Sequence, residues 1–478
     1  MNPKRAILWF RNDLRLHDNE ALSEALRSAD EVIPVYIFDE RVFMGKRHFG
    51  FPKIGRFRTQ FIIETILDLR ENLRKKGSEL YIRIGKTEDV LFDIANQAKT
   101  SWVFCNRERT EEELKVQDAL EEKLWTIGQE IRFSRGKMLY YTADLPFPVT
   151  QTPDTFTTFR KEVERITPVR EPLPTPDKIK ATTLKLDNGT IPTLADLGHA
   201  DFEKDARSVI DFKGGETEGL KRLNYYLWES NLIKTYEETR NGLIGSDYSS
   251  KLSAYISNGC LSPKMVYHAL KKYEAERGSN TSTYWLFFEL LWRDYFRLMG
   301  KKYENKIFQK GGISGKPDKN WHEDERTFQI WANGETGIPF IDANMRELKT
   351  TGFMSNRGRQ NVASFLVKDL HINWLMGAEW FESQLIDYDP CSNYGNWLYI
   401  AGVGNDPREN RYFNIISQAL RYDPKGDYVK LWLPELSEIP VDKIHRPDTL
   451  TAEEQKDYHI LLGMTYPKAM MATSKWAN

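Results

Sequence analysis

The stretch AILWFRNDLRLHDNE, residues 6–20, decides the fold of the N-terminal part of the chain. Its first five residues form a short apolar run typical of a buried strand, and a helix pattern begins near Glu20. The charged segment between them contains neither GxGxxG nor GxxxxGK[ST], which argues against an ordinary nicotinamide dehydrogenase or P-loop enzyme. On local grounds this segment is a solvated connection in which Asp18 or Asn19 caps the helix.

Strand and helix patterns keep alternating as far as residue 135. Further strand patterns lie at residues 31–39, 79–85, 101–105 and 130–133, and helix patterns lie at residues 58–76 and 110–127. Such alternation predicts a Rossmann-like α/β domain whose parallel sheet is covered on both faces. We assign this domain to residues 1–135.

A proline-rich segment separates the α/β domain from a second, helical one. Residues 136–212 hold eight prolines among Thr, Asp and Lys clusters, which predicts a long connector laid across both domains. Helix patterns dominate after Glu216, so residues 213–478 are expected to form a mostly α-helical domain.

Composition excludes several classes of protein. No apolar run approaches the ~18 uncharged residues that a membrane span needs. Three cysteines without CxxC spacing argue against a disulfide framework and a zinc site, and no metal is expected. A formal net charge of -1 means that any DNA contact must use a local patch. The N-terminus has no apolar or Ser/Arg-rich targeting segment, so we expect a cytoplasmic protein.

Four blocks of sequence, in order along the chain, resemble the photolyase/cryptochrome family. They are LWFRNDLRLHDN (8–19), YSSKLSAYISNGCLSP (248–263), ELLWRDYFR (289–297) and the long run that begins TGFMSNRGRQ (351–414). Within the family, NRGRQNVASFL, GVGNDPRENRYFN and YDPKGDYVKLWLPEL are most similar to the cryptochrome DASH branch. The resemblance implies an N-terminal antenna domain and a helical domain that binds FAD.

The resemblance also implies which residues contact FAD. Alone, the serine-rich segment at 248–253 indicates a helix cap, although its hydroxyls, N–H groups and lysine suit a pyrophosphate. Similarly, Arg359 and Asp387 would by themselves be a structural salt bridge. The implied cofactor contacts are Tyr236, Ser249, Ser250, Lys251, Leu252, Ser253, Glu289, Arg293, Asn356, Arg359, Asp387, Asp389 and Asn393. Asn393 matches the residue opposite the reactive flavin nitrogen, where a carboxylate would disfavour an anionic reduced flavin.

Three tryptophans match the electron-hopping chain of the family. They are Trp321, Trp374 and Trp397. A tryptophan taken singly is usually a core residue, so their role is implied by the motif match and not by their spacing.

The substrate cavity is implied by a further set of matches. The residues expected to hold a flipped cyclobutane pyrimidine dimer are Glu289, Trp292, Asn356, Gln360 and Tyr399. Gln360 stands where ordinary photolyases have Met, and Tyr399 replaces a stacking Trp. Stacking contributes about 1–3 kcal/mol per base, so a weaker hold should favour single-stranded or looped DNA over duplex DNA.

Two further contacts are expected outside the cavity. Backbone phosphates of DNA could be bound by a set of arginines, namely Arg293, Arg346, Arg357, Arg408, Arg411 and Arg421. Glu108 matches a carboxylate that contacts the pterin of a 5,10-methenyltetrahydrofolate antenna, although Glu111–Glu113 nearby is more simply a helix start.

The function implied is light-dependent repair of cyclobutane pyrimidine dimers by electron transfer from photoexcited reduced FAD. Glu289, Asn393 and the three tryptophans would be the catalytic residues of a deoxyribodipyrimidine photo-lyase, a monomer acting on single-stranded DNA. The alternative is a blue-light signalling cryptochrome with little repair activity. Only residues 458–478 follow Asp457, and such a short tail favours repair.

Overall fold

The N-terminal part of the chain folds around a five-stranded parallel sheet. The computed structural model describes residues 3–318, 320–406 and 411–476. The strands are β1 (Arg5–Trp9), β2 (Glu31–Asp39), β3 (Tyr81–Gly85), β4 (Trp102–Asn106) and β5 (Glu130–Ser134). Their order is β3-β2-β1-β4-β5, and every neighbouring pair is parallel. The predicted Rossmann-like α/β domain is therefore confirmed.

Helices cover both faces of this sheet. They are α1 (Glu20–Ser28), α2 (Glu40–Phe43), α3 (Arg56–Lys75), α4 (Thr87–Ala98) and α5 (Glu111–Trp125). Successive strand residues point to opposite faces, so Ala6 and Leu8 of β1 pack with α1 and α3 while Ile7 packs with α4 and α5. Local patterns in the sequence predicted α1, α3 and α5, but α2 and α4 were not predicted.

The second part of the chain is helical, as predicted. Its helices are α6 (Phe156–Ile166), α7 (Glu216–Asn224), α8 (Tyr236–Thr239), α9 (Ser253–Ser257), α10 (Pro263–Arg277), α11 (Thr281–Tyr303), α12 (Glu325–Asn333), α13 (Pro339–Thr351), α14 (Asn356–Ser364), α15 (Trp374–Gln384), α16 (Pro390–Ala401), α17 (Ile415–Tyr422), α18 (Asp427–Trp432) and α19 (Ala452–Asp457). Within the described ranges, no helix has both the length and the apolar character needed to cross a bilayer.

The segment at 136–212 packs against both parts of the molecule. Phe156 and Phe159 of α6 are buried among the helices of the second domain. Ile179 and Leu197, further along the same segment, are buried against the sheet domain. This segment therefore contributes apolar side chains to two separate cores.

The loop after β1 differs from the sequence-based expectation. Asn19 caps α1, as expected, by accepting from the Leu22 N–H at 3.0 Å. Residues 13–19 are all buried, however, so the interpretation of the loop as a solvated connection is wrong. Arg15 donates to the carbonyls of Gly136 and Gly259, each at 3.0 Å, which ties the loop to the connector and the helical domain.

Candidate functional site

Lys251 is the centre of a buried polar cluster before α9. Its backbone has a φ of 58°, and its Nζ lies 2.8 Å from Ser249 Oγ and 3.0 Å from the centroid of the Tyr248 ring. Helix α9 begins without a side-chain cap, so the interpretation of the serines as a helix cap is wrong. Leu252 is buried, and Ser253 is exposed at the first turn of α9.

Burial controls the charges in this cluster. Loss of hydration, and then the neighbouring Arg222, lower the pKa of Lys251 to about 6. Burial also raises the pKa of Glu347 to about 8, and its carboxyl accepts a hydrogen bond from Tyr428 Oη at 2.5 Å. Burial therefore disfavours the charged forms of both Lys251 and Glu347.

Arg359 and Asp387 form the predicted salt bridge, with an Nη2–Oδ2 distance of 2.9 Å. The second Asp387 oxygen, Oδ1, is buried and has no hydrogen-bond partner among the described residues, and the same holds for Tyr248 Oη. Buried polar atoms are rarely left unpaired in folded proteins. These unpaired atoms beside a lysine fit a polar ligand that both donates and accepts hydrogen bonds, as the ribityl and phosphate groups of FAD do.

Asp389 and Asn393 lie at the start of α16. Asp389 caps this helix by accepting from the Ser392 N–H at 2.9 Å. The amide nitrogen of Asn393 donates to the Ala378 carbonyl at 3.0 Å, which orients the side chain. Both side chains are less than a tenth exposed.

A buried ion network connects Asp389 to Glu108. Arg297 Nη1 lies 3.1 Å from Asp389 Oδ2, and Arg297 Nη2 lies 3.4 Å from Glu108 Oε2. The other Glu108 oxygen is paired with Lys137. Burial alone would raise the pKa of Glu108, but Lys137 and Arg297 hold it at about 2. Sequence reasoning missed Arg297, although this residue ends the ELLWRDYFR block.

Glu108 follows β4 at the point where the strand order of the sheet reverses. Strands β1 and β4 are neighbours, and the helices after them lie on opposite faces. Ligands of open α/β sheets bind at such a switch point, beyond the carboxyl ends of the strands. Glu108 therefore stands where this fold class binds its ligands.

The three tryptophans predicted to carry electrons are neighbours in the fold. The Trp397 ring fills the space beside Gly377, where an added Cβ would lie 2.2 Å from Trp397 Cη2. Trp374 is three residues before Gly377 and shares its helix face. The Asn373 N–H donates to the His322 carbonyl at 2.9 Å, so Trp321 lies beside the start of α15.

Glu289 and Gln360 lie at the two ends of a series of polar contacts that runs through Arg240, Asn241 and Arg357, the polar chain of this site. Glu289 is 2.7 Å from Arg240 Nη1 and its side chain is 36% exposed. Burial raises the pKa of Glu289, and Arg240 opposes this rise. Asn241, the next residue, accepts from Arg357 at 2.9 Å, and Arg357 donates to Gln360 at 2.9 Å. Sequence reasoning missed Arg240, which lies four residues after Tyr236 and had no recognisable partner in the sequence.

Aromatic rings stand beside this polar chain. Trp292, one turn after Glu289 on α11, stacks on Phe156 with a centroid distance of 3.7 Å and an angle of 9°. Tyr399 meets Trp292 edge to face at 5.7 Å. The Glu289 carboxylate shares a face of α11 with Trp292, and Trp292 meets Tyr399, so a carboxylate and two rings lie close together, which is chemistry suited to holding a heterocyclic base.

The remaining predicted residues are dispersed. Tyr236 is buried at the start of α8, and Asn356 is exposed at the start of α14. Arg293 is nearly buried and donates to the Lys137 carbonyl at 2.8 Å, so it does not lie on the surface. Ser250 lies next to Lys251 and its carbonyl accepts from Arg222 at 2.9 Å.

Two of the arginines predicted to bind DNA lie near residues that are predicted to line the substrate cavity. They are Arg357, through Gln360, and Arg411, whose guanidinium lies 5.8 Å from the Tyr399 ring centroid. Arg346 instead pairs with Glu435 at 2.7 Å, and Arg421 lies over Tyr422. Arg408 lies outside the described residues.

In the parts of the chain that the structure describes, no group of three or more His, Cys, Asp or Glu side chains could hold a metal ion. Cys105, Cys260 and Cys391 are buried free thiols.

Comparisons with known proteins identify relatives of this chain. A family model described as DNA photolyase matches residues 6–177, and one described as the FAD binding domain of DNA photolyase matches residues 285–478. Cryptochrome DASH of Xenopus laevis is 48% identical over 479 residues, which cover 100% of this chain and 91% of that protein.

Solved structures show the same likeness. The Synechocystis sp. PCC6803 cryptochrome superposes with a TM-score of 0.95 at 47% identity, covering 99% of this chain and 98% of that one. A bacterial class III photolyase from Agrobacterium tumefaciens gives a TM-score of 0.85 at 29% identity, covering 100% and 96% of the two chains.

Proposed function

The chain belongs to the photolyase/cryptochrome family, in which it is most like the cryptochrome DASH members, and on this premise we propose that it repairs cyclobutane pyrimidine dimers with light. The observation that carries the proposal is the polar chain from Glu289 to Gln360 with Trp292 and Tyr399 beside it. Such a site offers hydrogen bonds and ring contacts to an extruded pair of bases.

The helical domain is a FAD-binding domain. We assign the phosphates of FAD to the segment around Lys251, and the inner part of the cofactor to Arg359, Asp387, Asp389 and Asn393. The unpaired buried atoms of Asp387 and Tyr248 support this assignment, because the cofactor would supply their missing partners. When bound and reduced, FAD supplies a light-excited electron donor.

The side chains of the cavity hold and polarise the dimer. Glu289 offers hydrogen bonds at the base edges; burial raises its pKa, and the neighbouring Arg240 opposes this rise. Trp292 and Tyr399 hold the bases by ring contact. Asn393 presents a neutral amide, which avoids the repulsion that a carboxylate would exert on a negatively charged reduced cofactor.

The three tryptophans transfer electrons from the protein surface to the cofactor site. Trp397 passes an electron inward, and Trp374 and Trp321 replace it in turn. Their packing around α15 supports this order, since Trp397 sits beside Gly377 one turn from Trp374.

The preference for single-stranded or looped DNA follows from the walls of the cavity. Extruding a dimer from a duplex costs a few kcal/mol. Tyr399 offers a smaller ring than tryptophan, and Trp292 is already stacked on Phe156. A flexible strand avoids most of the cost of extrusion, so it should remain a good substrate.

We assign a folate antenna to the switch point of the sheet, beside Glu108. Both Glu108 oxygens are paired with cations, so the carboxylate stays charged at neutral pH. A charged carboxylate can accept hydrogen bonds from a pterin amine. Contact with the pterin would use the remaining acceptor capacity of these two oxygens.

Illumination of the purified protein with dimer-containing oligonucleotides tests the proposed function. Recovery of thymine absorbance is expected with single-stranded DNA, and a slower recovery is expected with duplex DNA of the same sequence. A lack of recovery on both substrates would overturn the repair function and favour a signalling role. Equal rates on both substrates would overturn the strand preference alone.

Substituting Glu289→Ala should lower the rate of repair by on the order of 10–100-fold, corresponding to about 1.4–2.7 kcal/mol of lost stabilisation of the reacting dimer. The flavin content should stay unchanged, and Glu289→Gln should keep part of the activity because it preserves a hydrogen-bonding group. Single-turnover repair and flavin absorbance measure the two effects separately. Loss of flavin from the alanine variant would show that Glu289 serves cofactor binding instead.

Binding of FAD should take up protons through Lys251. Burial, and then the neighbouring Arg222, hold the pKa of this lysine at about 6, and a neighbouring pyrophosphate would raise that value. Affinity should therefore be constant below about pH 6 and fall as the pH rises toward 8, by at most about tenfold per pH unit. Calorimetric titration of FAD into the flavin-free protein, in two buffers of different ionisation enthalpy, measures the uptake. Lys251→Met should abolish it, and an equal uptake by that variant would contradict the assignment.

A further inference from the structure

Tyr394 connects the buried Trp374 to a carboxylate. It follows Asn393 on α16 and is 4% exposed. Its ring centroid lies 6.1 Å from that of Trp374, with an angle of 78° between the ring planes. Its hydroxyl donates to Glu382 Oε2 at 3.4 Å. A phenol that touches both an indole and a carboxylate can exchange an electron with one and a proton with the other.

Glu382 has a route for charge toward the surface. Its carboxylate is 3% exposed and is held by Arg47 at two points, Nε–Oε2 at 2.9 Å and Nη2–Oε1 at 2.6 Å. The third nitrogen of Arg47 lies 2.5 Å from Glu112, which is half exposed. A proton that arrives on Glu382 would leave the positive charge of Arg47 facing Glu112.

We propose that Tyr394 is a branch electron donor to Trp374 and that Glu382 accepts its proton. This inference rests on the proposed function, in which Trp374 is briefly oxidised to a radical cation. One electron then passes from the Tyr394 ring to Trp374, which returns to its neutral form. The phenolic O–H bond breaks, a carboxyl O–H bond forms on Glu382, and a neutral tyrosyl radical remains. No other oxidant or reductant takes part.

The surroundings of Tyr394 favour this coupled step. A phenol that lost only an electron would leave a bare positive charge in a medium of low dielectric constant, which is costly. Transfer of the proton to Glu382 removes that charge from the ring. Burial, followed by the charge of Glu382, raises the pKa of Tyr394 far above its ordinary value, so the proton stays on the oxygen until the electron leaves.

Flash excitation of the holoprotein with oxidised FAD tests the branch. In the wild type, the absorption of a tryptophan radical should decay as a tyrosyl signal appears, and the decay should slow in D2O. Tyr394→Phe should remove the tyrosyl signal and shorten the lifetime of the charge-separated state by about tenfold. This factor corresponds to a transfer of the electron from Tyr394 to Trp374 that is favourable by about 1.4 kcal/mol. Glu382→Gln should also remove the tyrosyl signal although the ring stays in place.

Tyr388→Phe is the matched control, because Tyr388 is partly buried in the same network and its buried hydroxyl has no hydrogen-bond partner among the described residues. It should behave like the wild type. A tryptophan radical of equal lifetime in the wild type and Tyr394→Phe, without a tyrosyl signal, would overturn the branch alone. Absence of any tryptophan radical in the wild type would overturn the branch together with the proposed tryptophan chain.

Discussion

Replacing Trp374 with phenylalanine is expected to slow light-driven reduction of the flavin by on the order of 100-fold, equivalent to about 2.7 kcal/mol of added barrier. Trp374 is fully buried at the start of α15, beside which Trp321 lies, and the Trp397 ring packs at Gly377 one turn further along the helix. Phenylalanine fills most of the space but is much harder to oxidise than an indole. Steady illumination with an external reductant, followed by flavin absorbance, measures the rate.

Trp331→Phe provides a closely matched control for this prediction. Both tryptophans are 0% exposed, and each donates its indole N–H to a backbone carbonyl at 3.0 Å. The two substitutions therefore remove a similar ring and a similar hydrogen bond. Equal slowing by both variants would mean that the effect comes from packing, and the proposed electron route through Trp374 would be wrong.

Replacing Arg297 with methionine is expected to destabilise the protein by about 3–5 kcal/mol, because removal of one partner from a buried ion pair leaves uncompensated charge behind. Arg297 is 4% exposed and pairs with Glu108 and Asp389, which are buried as well. Urea unfolding of the holoprotein, followed by fluorescence, measures the change. Arg346→Met, which removes a partly exposed pair with Glu435, should cost no more than about 1 kcal/mol.

The same network predicts how stability depends on pH. The pKa of Glu108 is about 2 in the folded protein and near 4.5 when no partner is present. A lowered carboxyl pKa stabilises the folded state above pH 4.5, and this contribution is lost as the pH falls toward 2. Arg297→Met should reduce this loss. An Arg297→Met protein with wild-type stability at neutral pH would show that the buried pairs contribute nothing to the fold.

Local patterns in the sequence predicted strands and helices, but they did not predict whether a charged segment is buried or exposed. The continuous apolar run of β2 and the helical spacing of apolar residues in α3 are properties of neighbouring residues, so a local pattern reveals them. The loop at 11–19 looked solvated because it is charged. Its burial depends on Gly136, Glu216 and Gly259, which lie about 120 to 240 residues further along the chain.

The candidate site was predicted through motif resemblance, and its ion pairs were not all visible in the sequence. The pairing of Arg359 with Asp387 was expected and is present. The pairs Arg240–Glu289 and Arg297–Glu108 were missed, because only the packing of α11 against distant segments brings these charges together.

A crystal structure of the holoprotein with a dimer-containing single-stranded oligonucleotide tests the central claim most directly. We predict that the dimer is extruded into the cavity, with Glu289 hydrogen-bonded to a base edge, Trp292 and Tyr399 in contact with the bases, and FAD next to the dimer. A dimer bound elsewhere on the surface, with the pair Arg240–Glu289 intact and the cavity closed to DNA, would contradict the account.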